Sequence, residues 1–147
     1  MEISQIRTAA HSCAVDITDH VAARLREKSA QKGICLIYTP HTTAGLTINE
    51  GADPNVMDDV LRTLDAIVPW RGSYKHTEGN SAAHIKAILV GGSVQAIVDS
   101  GKLVLGTWER IFLLEFDGPR TRNILFNSWA ARLADWHRAE AESPPPN

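Results

Sequence analysis

The chain has 147 residues and a mass of 16.1 kDa, which suits one domain with a core of its own. Its 44% hydrophobic content excludes disordered and collagen-like classes, and a net charge of −2 gives no electrostatic footprint for duplex nucleic acid. No apolar run approaches the ~18 residues a membrane helix needs, and the N-terminus lacks the basic-then-apolar order of a secretory signal. The expectation is a cytoplasmic protein with neither nucleic-acid nor membrane partners.

EISQIRT alternates apolar and polar residues as a strand does, and SCAVDI follows as a second short strand. Thr18 is positioned to cap a helix reaching about Ala30, with Val21, Ala22, Leu25 and Ser29 on one stripe. ICLIYT and GLTIN are two further strands around a polar turn. Asp53-Pro54 is a helix start, with an acid at the cap and proline at the first helical position. Pro69 ends that helix, and WRGSYKHTEG is a loop. A third helix runs from Asn80 to about Val90, with Ile85, Ile88 and Leu89 expected as its buried stripe. SVQAIVDSGKLVLGTWE reads as two strands around a turn, and RIFLLEF and RNILFNSWA as two more. About eight strands and three helices, with strands often consecutive, predict an α+β fold of layered, mixed but largely antiparallel sheets. The domain is expected over residues 1–140, followed by a flexible proline-rich tail at 141–147. Cys13 and Cys35 sit in apolar runs and are expected as reduced, buried thiols.

HTEGNSAAHIKA brackets a helix start with two histidines that local folding does not require. With Asn80 as the N-cap, the N–H groups of Ser81, Ala82 and Ala83 lack helical partners and make an anion site with the helix dipole. His84 leans back over that mouth from the first turn, and His76 and Glu78 lie on the approach loop. His41, with Thr42 and Thr43 beside it, comes from the turn between two apolar strands. Three histidines, His41, His76 and His84, with the carboxylates Glu50 and Asp53 nearby, are the inventory of a metal site with an open position. Their spacing matches no compact metal motif. DGPRTR offers Arg120 and Arg122 as fork-shaped donors to phosphate or carboxylate. Lys86 lies beside His84, and Trp108 is a candidate wall for a flat ring.

HTTAGLTINE, H-x-EGNSAAHIKA, LGTWE and EFDGPRTR occur in the order and spacing of the YjbQ-like family, and the resemblance covers roughly residues 2–130. It implies an α+β trimer with a weak, secondary thiamine-phosphate synthase activity, which couples a thiazole phosphate to a pyrimidine diphosphate. The family's polar positions fall on His41, Thr42, Thr43, Asn49, Glu50, His76, Asn80, His84, Asp117 and Arg120. Glu109 stands where relatives commonly carry Gln, which adds a negative charge.

Three chemistries fit this inventory. The first is the transferase, with a divalent ion (zinc or magnesium), Arg120 and the Asn80 helix stabilising departing pyrophosphate. The second is a metal-dependent hydrolase of a small phosphorylated or carbonyl compound, with Glu50 as base. The third is a non-catalytic trimer binding a small anionic metabolite. The expected site is therefore His41, His76 and His84 on the metal and Glu50, His84 and Arg120 in catalysis. Thr42, Thr43, Asn49, Asn80, Ser81, Ala82, Lys86, Trp108 and Arg120 are the expected contacts to substrate.

Overall fold

The computed structural model describes residues 2–28 and 31–130. The proline-rich tail and the domain end expected at residue 140 lie outside the described residues. Within them the chain forms eight strands and three helices: β1 (Glu2–Arg7), β2 (Cys13–Asp16), α1 (Thr18–Glu27), β3 (Lys32–Tyr38), β4 (Ala44–Glu50), α2 (Pro54–Ile67), α3 (Ser81–Val90), β5 (Ser93–Asp99), β6 (Lys102–Val104), β7 (Glu109–Glu115) and β8 (Thr121–Ala130).

The strands make two sheets, a five-stranded one ordered β1-β8-β3-β5-β6 and a three-stranded one ordered β2-β7-β4. Every pairing among the described residues is antiparallel. The three-stranded sheet is covered on both faces. Ile111 and Leu113 of β7 join the core against the large sheet and α1, with Ile37, Leu46, Val21 and Ile124. Phe112 and Leu114 join a second core under α2 and α3, with Met57, Ala83 and Ala87. Burial on both faces is why RIFLLEF is a continuous apolar run instead of an alternating one. Cys35 is in the first core and Cys13 is half-buried, and both are free thiols.

The helix starts are local chemistry. Asp53 accepts the Asn55 N–H at 2.9 Å and Pro54 opens α2, as the sequence predicts. At α1 the cap differs. Thr18 is the first helical residue, Asp16 accepts its N–H at 2.8 Å, and its hydroxyl accepts the Ile111 N–H at 2.8 Å, which ties α1 to β7.

The main correction concerns α3. Ala82, Ala83, Lys86 and Ala87 face inward, whereas Ile88 is 80% exposed and Ile85 and Leu89 are exposed with it. The helix is seated by small residues because it lies close to the sheet. A Cβ on Gly45 of β4 would stand 2.7 Å from Val90 Cγ1 and 3.1 Å from the Gly91 carbonyl oxygen. Gly91, at φ +100°, turns the chain out of the helix, and its carbonyl accepts the Leu46 N–H at 2.9 Å. Lys86 threads its stem inward and pairs with Asp65 of α2.

Gly45→Ala is therefore expected to cost about 1–3 kcal/mol by overpacking. A urea denaturation midpoint reads this. Adding Val90→Ala should restore part of the loss, and an unchanged midpoint in Gly45→Ala would refute the close seating of α3.

Candidate functional site

The site rests on a buried ion pair. Glu115, at the end of β7, is fully buried and accepts the Arg122 Nε–H at 2.6 Å, with a second, shorter contact from Arg122 Nη2. Its remaining capacity takes the Thr8 hydroxyl at 3.0 Å and the N–H groups of Phe116 and Asp117 at 3.0 and 2.9 Å. Arg122 Nη2 also donates to the Thr43 hydroxyl at 2.8 Å, and the Thr43 carbonyl accepts the Phe116 N–H at 3.2 Å. The turn carrying His41 is thus pinned to β7 and β8. Burial alone raises the Glu115 carboxyl. The hydrogen bonds from Arg122, Asp117 and Thr8, with the Arg122 charge, outweigh it and hold the group below the usual carboxylate range.

His41 Nε2 accepts the Asn123 backbone N–H at 2.7 Å. Burial, followed by the positive charge of Arg122, favours the neutral ring and lowers its pKa. Across from it, α3 begins at Asn80. The Asn80 side chain does not cap the helix, because its amide donates to Asp117 at 3.2 Å and leaves Oδ1 buried without a partner among the described residues. The Asn80 backbone carbonyl takes the Ala83 and His84 N–H groups at 2.9 and 3.4 Å. Ala82 and Ala83 are both fully buried, so of the expected anion cradle only Ser81 stands in a cleft wall.

Two clefts flank α3. The first, about 390 Å³, lies between α3 and the turn after β3, and His41, Thr42, Thr39 and His84 stand in its wall. The second, about 560 Å³, lies between α3 and the preceding loop, with Ser73, Lys75, His76, Ser81 and His84 around it. His84 belongs to both. Its ring meets that of His76 edge to face, with centroids 5.3 Å apart and planes at 83°. Glu78 lies 3.7 Å from His76 Nε2.

Against known proteins, residues 2–131 match the family described as UPF0047 protein YjbQ-like. The chain belongs to the YjbQ-like UPF0047 family. It is 52% identical to the UPF0047 protein YugU of Bacillus subtilis over 80% of this chain and 90% of that one. It is 49% identical to a UPF0047 protein of Methanocaldococcus jannaschii, over 80% and 86% of the two chains. The crystal structure of an uncharacterised family protein from Clostridium acetobutylicum superposes with a TM-score of 0.86 at 46% identity, covering 88% of this chain and all of that one. A family structure of unknown function from Sulfolobus solfataricus gives 0.84 at 36% identity, over 88% and 95%. The α+β fold is the family's. Among the described residues no helix is long and apolar enough to cross a membrane.

This YjbQ-like chain brings together only part of the predicted site. His41, Thr42 and His84 share one cleft, and His76, Ser81 and His84 share the other. Among the described residues the three histidines are not gathered around one point as a zinc centre requires. His41 Nε2 is spent on Asn123, and among the described residues no group of three or more His, Cys, Asp or Glu side chains is placed to hold an ion. Glu50 ends β4 opposite Glu109, whereas Ala44 at the histidine end faces Glu115. Six residues of strand separate the two ends by ~20 Å, so neither Glu50 nor Asn49 reaches His84 within this chain. Trp108 is at that far end and 63% exposed, and walls neither cleft.

Lys86 is buried against α2, Ala82 contributes only backbone, and the Thr43 side chain serves Arg122. Arg120 binds the side chain and carbonyl of Asp117, each at 2.7 Å, through Nη2 and Nε, which fixes its guanidinium beside Asp117, and it lines neither cleft. Burial raises the Asp117 carboxyl, but the hydrogen bonds from Arg120 and Asn80 more than reverse this. Arg122 is in β8 and buried, not in a turn as the motif suggests. Sequence reasoning missed Thr39, Ser73 and Lys75. The basic and hydroxyl content of GSYKH beside His76 was the available signal for the last two.

The ion pair predicts a pH dependence. Glu115 has a lowered folded pKa, so its contribution to stability is complete above the unfolded value of about 4.3. It is lost as pH falls through the lower folded value. Unfolding free energy measured from neutral pH downward should fall through this acid limb. Glu115→Gln, which leaves Arg122 buried and unpaired, should cost about 3–5 kcal/mol at neutral pH and flatten the limb. A Glu115→Gln protein of wild-type stability and wild-type acid limb would contradict the pairing.

Proposed function

We propose that this chain is a small-molecule enzyme acting on two ligands that meet at His84, one in each cleft. The observation that carries the reading is the single imidazole standing in the walls of two cavities of about 390 and 560 Å³, each of ligand size. The specific reaction is the one the family resemblance implies. A thiazole phosphate couples to a pyrimidine diphosphate, a C–N bond forms, and the C–O bond to pyrophosphate breaks with the electron pair leaving on oxygen.

The second cleft suits the phosphorylated end. Lys75 and His76 line it, and Ser81 places the positive end of the α3 dipole in its wall, which favours an anion. These groups, in place of Arg120, stabilise the departing charge. A magnesium ion carried in on the diphosphate is the divalent ion this reading retains. The hydrolase reading weakens because Glu50, its base, lies at the other end of β4.

His84→Ala tests this directly. Thiamine-phosphate formation from the two partners is expected to fall about 10²-fold or more, with binding of inorganic phosphate kept within a few-fold. Lys75→Ala should do the reverse and weaken phosphate binding. Undiminished turnover in His84→Ala would refute the role of the shared imidazole.

Self-association as a homotrimer completes the proposal. Ile34, Ile97 and Val104 are exposed in one cross-strand row of the large sheet, with Ile3 exposed on the same sheet. Light scattering at micromolar concentration should return about 48 kDa, three times the chain mass of 16.1 kDa. A mass near that of one chain would rule it out.

A further inference from the structure

The two clefts differ in chemistry, and the difference assigns a ligand class to the first. We propose that the first cleft takes only the uncharged planar ring of its ligand, one carrying a hydrogen-bond acceptor, with any phosphate left outside its walls toward the second cleft, and that His41 binds that acceptor as a neutral donor locked in one tautomer. The proposal deepens the two-ligand reading above.

The lock is the Asn123 N–H. A backbone amide donates and does not accept, so its hydrogen bond to His41 Nε2 at 2.7 Å requires a lone pair on that nitrogen. A neutral imidazole has one N–H, which is therefore on Nδ1. Protonating the ring would set N–H against N–H. The charges around the ring reinforce this. Arg122 of β8 and Arg120 oppose a positive imidazole, and the carboxylate that would favour one, Glu115 of β7, is committed to Arg122. His84, from α3, is the other imidazole in the wall. His41 is thus a directional donor, suited neither to hold an ion through Nε2 nor to act as a base.

The walls decide the ligand's charge. Tyr38, Pro40, Ala44, Ala87 and Ile88 supply apolar surface, and no Asp, Glu, Lys or Arg side chain lines the cleft among the described residues. A charged group entering there sheds water without meeting a counter-ion, which is costly. Thr39, 3% exposed, stands in the same wall with its hydroxyl unpartnered among the described residues. Its backbone N–H is already used on the Gly92 carbonyl at 2.9 Å. A buried hydroxyl without a partner is uncommon and costs free energy. Here it offers a second polar contact beside His41, so the ring would carry an acceptor and a neighbouring hydrogen-bonding group. Lys75 and His76 give the second cleft the opposite preference.

The test uses the full chain with 15N-labelled histidine, the His41 signals being assigned by their loss in His41→Gln. Nicotinamide and nicotinate are the probes, matched in ring and size and differing in charge. The expected spectrum at about pH 8 has a protonated Nδ1 and an unprotonated Nε2, and this pattern should persist to lower pH than in a free imidazole. Nicotinamide should move the His41 Nδ1 signal and bind at least about tenfold more tightly than nicotinate. Thr39→Val, close to isosteric, should weaken nicotinamide several-fold without lowering the melting temperature. A proton on Nε2, equal or tighter binding of nicotinate, or no binding of either probe at about 10 mM would each overturn the proposal. Titration with inorganic phosphate separates the two readings. It should move His76 and His84 and leave His41 in place, and its failure would count against the second cleft alone.

Discussion

A carboxylate with no solvent exposure organises this molecule. Glu115 takes hydrogen bonds from β8 through Arg122, from the end of β1 through Thr8, and from the chain that follows β7 through Phe116 and Asp117. Arg122 then reaches the Thr43 hydroxyl at the start of β4. Desolvating two charges costs several kcal/mol per ion, and an apolar pair of similar shape often stabilises a core as well. What the ion pair adds is position. It fixes four segments relative to one another where both sheets come together, and it leaves Asn123, the next residue of β8, to hold the His41 ring. The buried charges contribute geometry more than they contribute stability.

The second constraint is how closely α3 approaches the small sheet. Gly45, Ala83 and Ala87 remove side-chain volume where helix and sheet meet, and Val90 fills the space over Gly45. The close approach brings the start of the helix toward the His41 turn and makes a narrow cleft between them. It also turns the large apolar residues of α3 outward, so the helix presents Ile88 and Leu89 on its free side. The same seating puts His84 where both clefts reach it, so a packing feature fixes the candidate site.

Much of the fold was legible in the sequence because local signals agree with the global arrangement. The Asp53-Pro54 start, the alternation in EISQIRT and the apolar run of RIFLLEF each have one structural meaning, and each is found in place. The failures share a cause. The inward face of α3 was assigned by hydrophobicity, whereas the contact selects by volume and admits the long Lys86 stem because Asp65 receives its charge. Glu50 and Asn49 look adjacent to His41 in HTTAGLTINE, but an extended strand carries them to the other end of the sheet. Asn80 had the right residue type for a cap, and a tertiary partner, Asp117, took its amide. Arg122 looked like a free fork in a turn because its carboxylate partner lies seven residues upstream on β7. Thr39 gave no pattern at all, since only the fold shows that its hydroxyl lacks a partner.

The central claim is that the buried pair positions the His41 turn and does not simply add stability. Hydrogen exchange on the double variant Glu115→Leu with Arg122→Met tests it most directly, since an apolar pair of similar volume should preserve the fold. The account predicts that the Leu113 amide, in the centre of β7, keeps its protection, while the amides of Asn123 and Asp117 exchange much faster as the His41 and Asp117 contacts loosen. Wild-type protection at Asn123 and Asp117 in a folded double variant would contradict it.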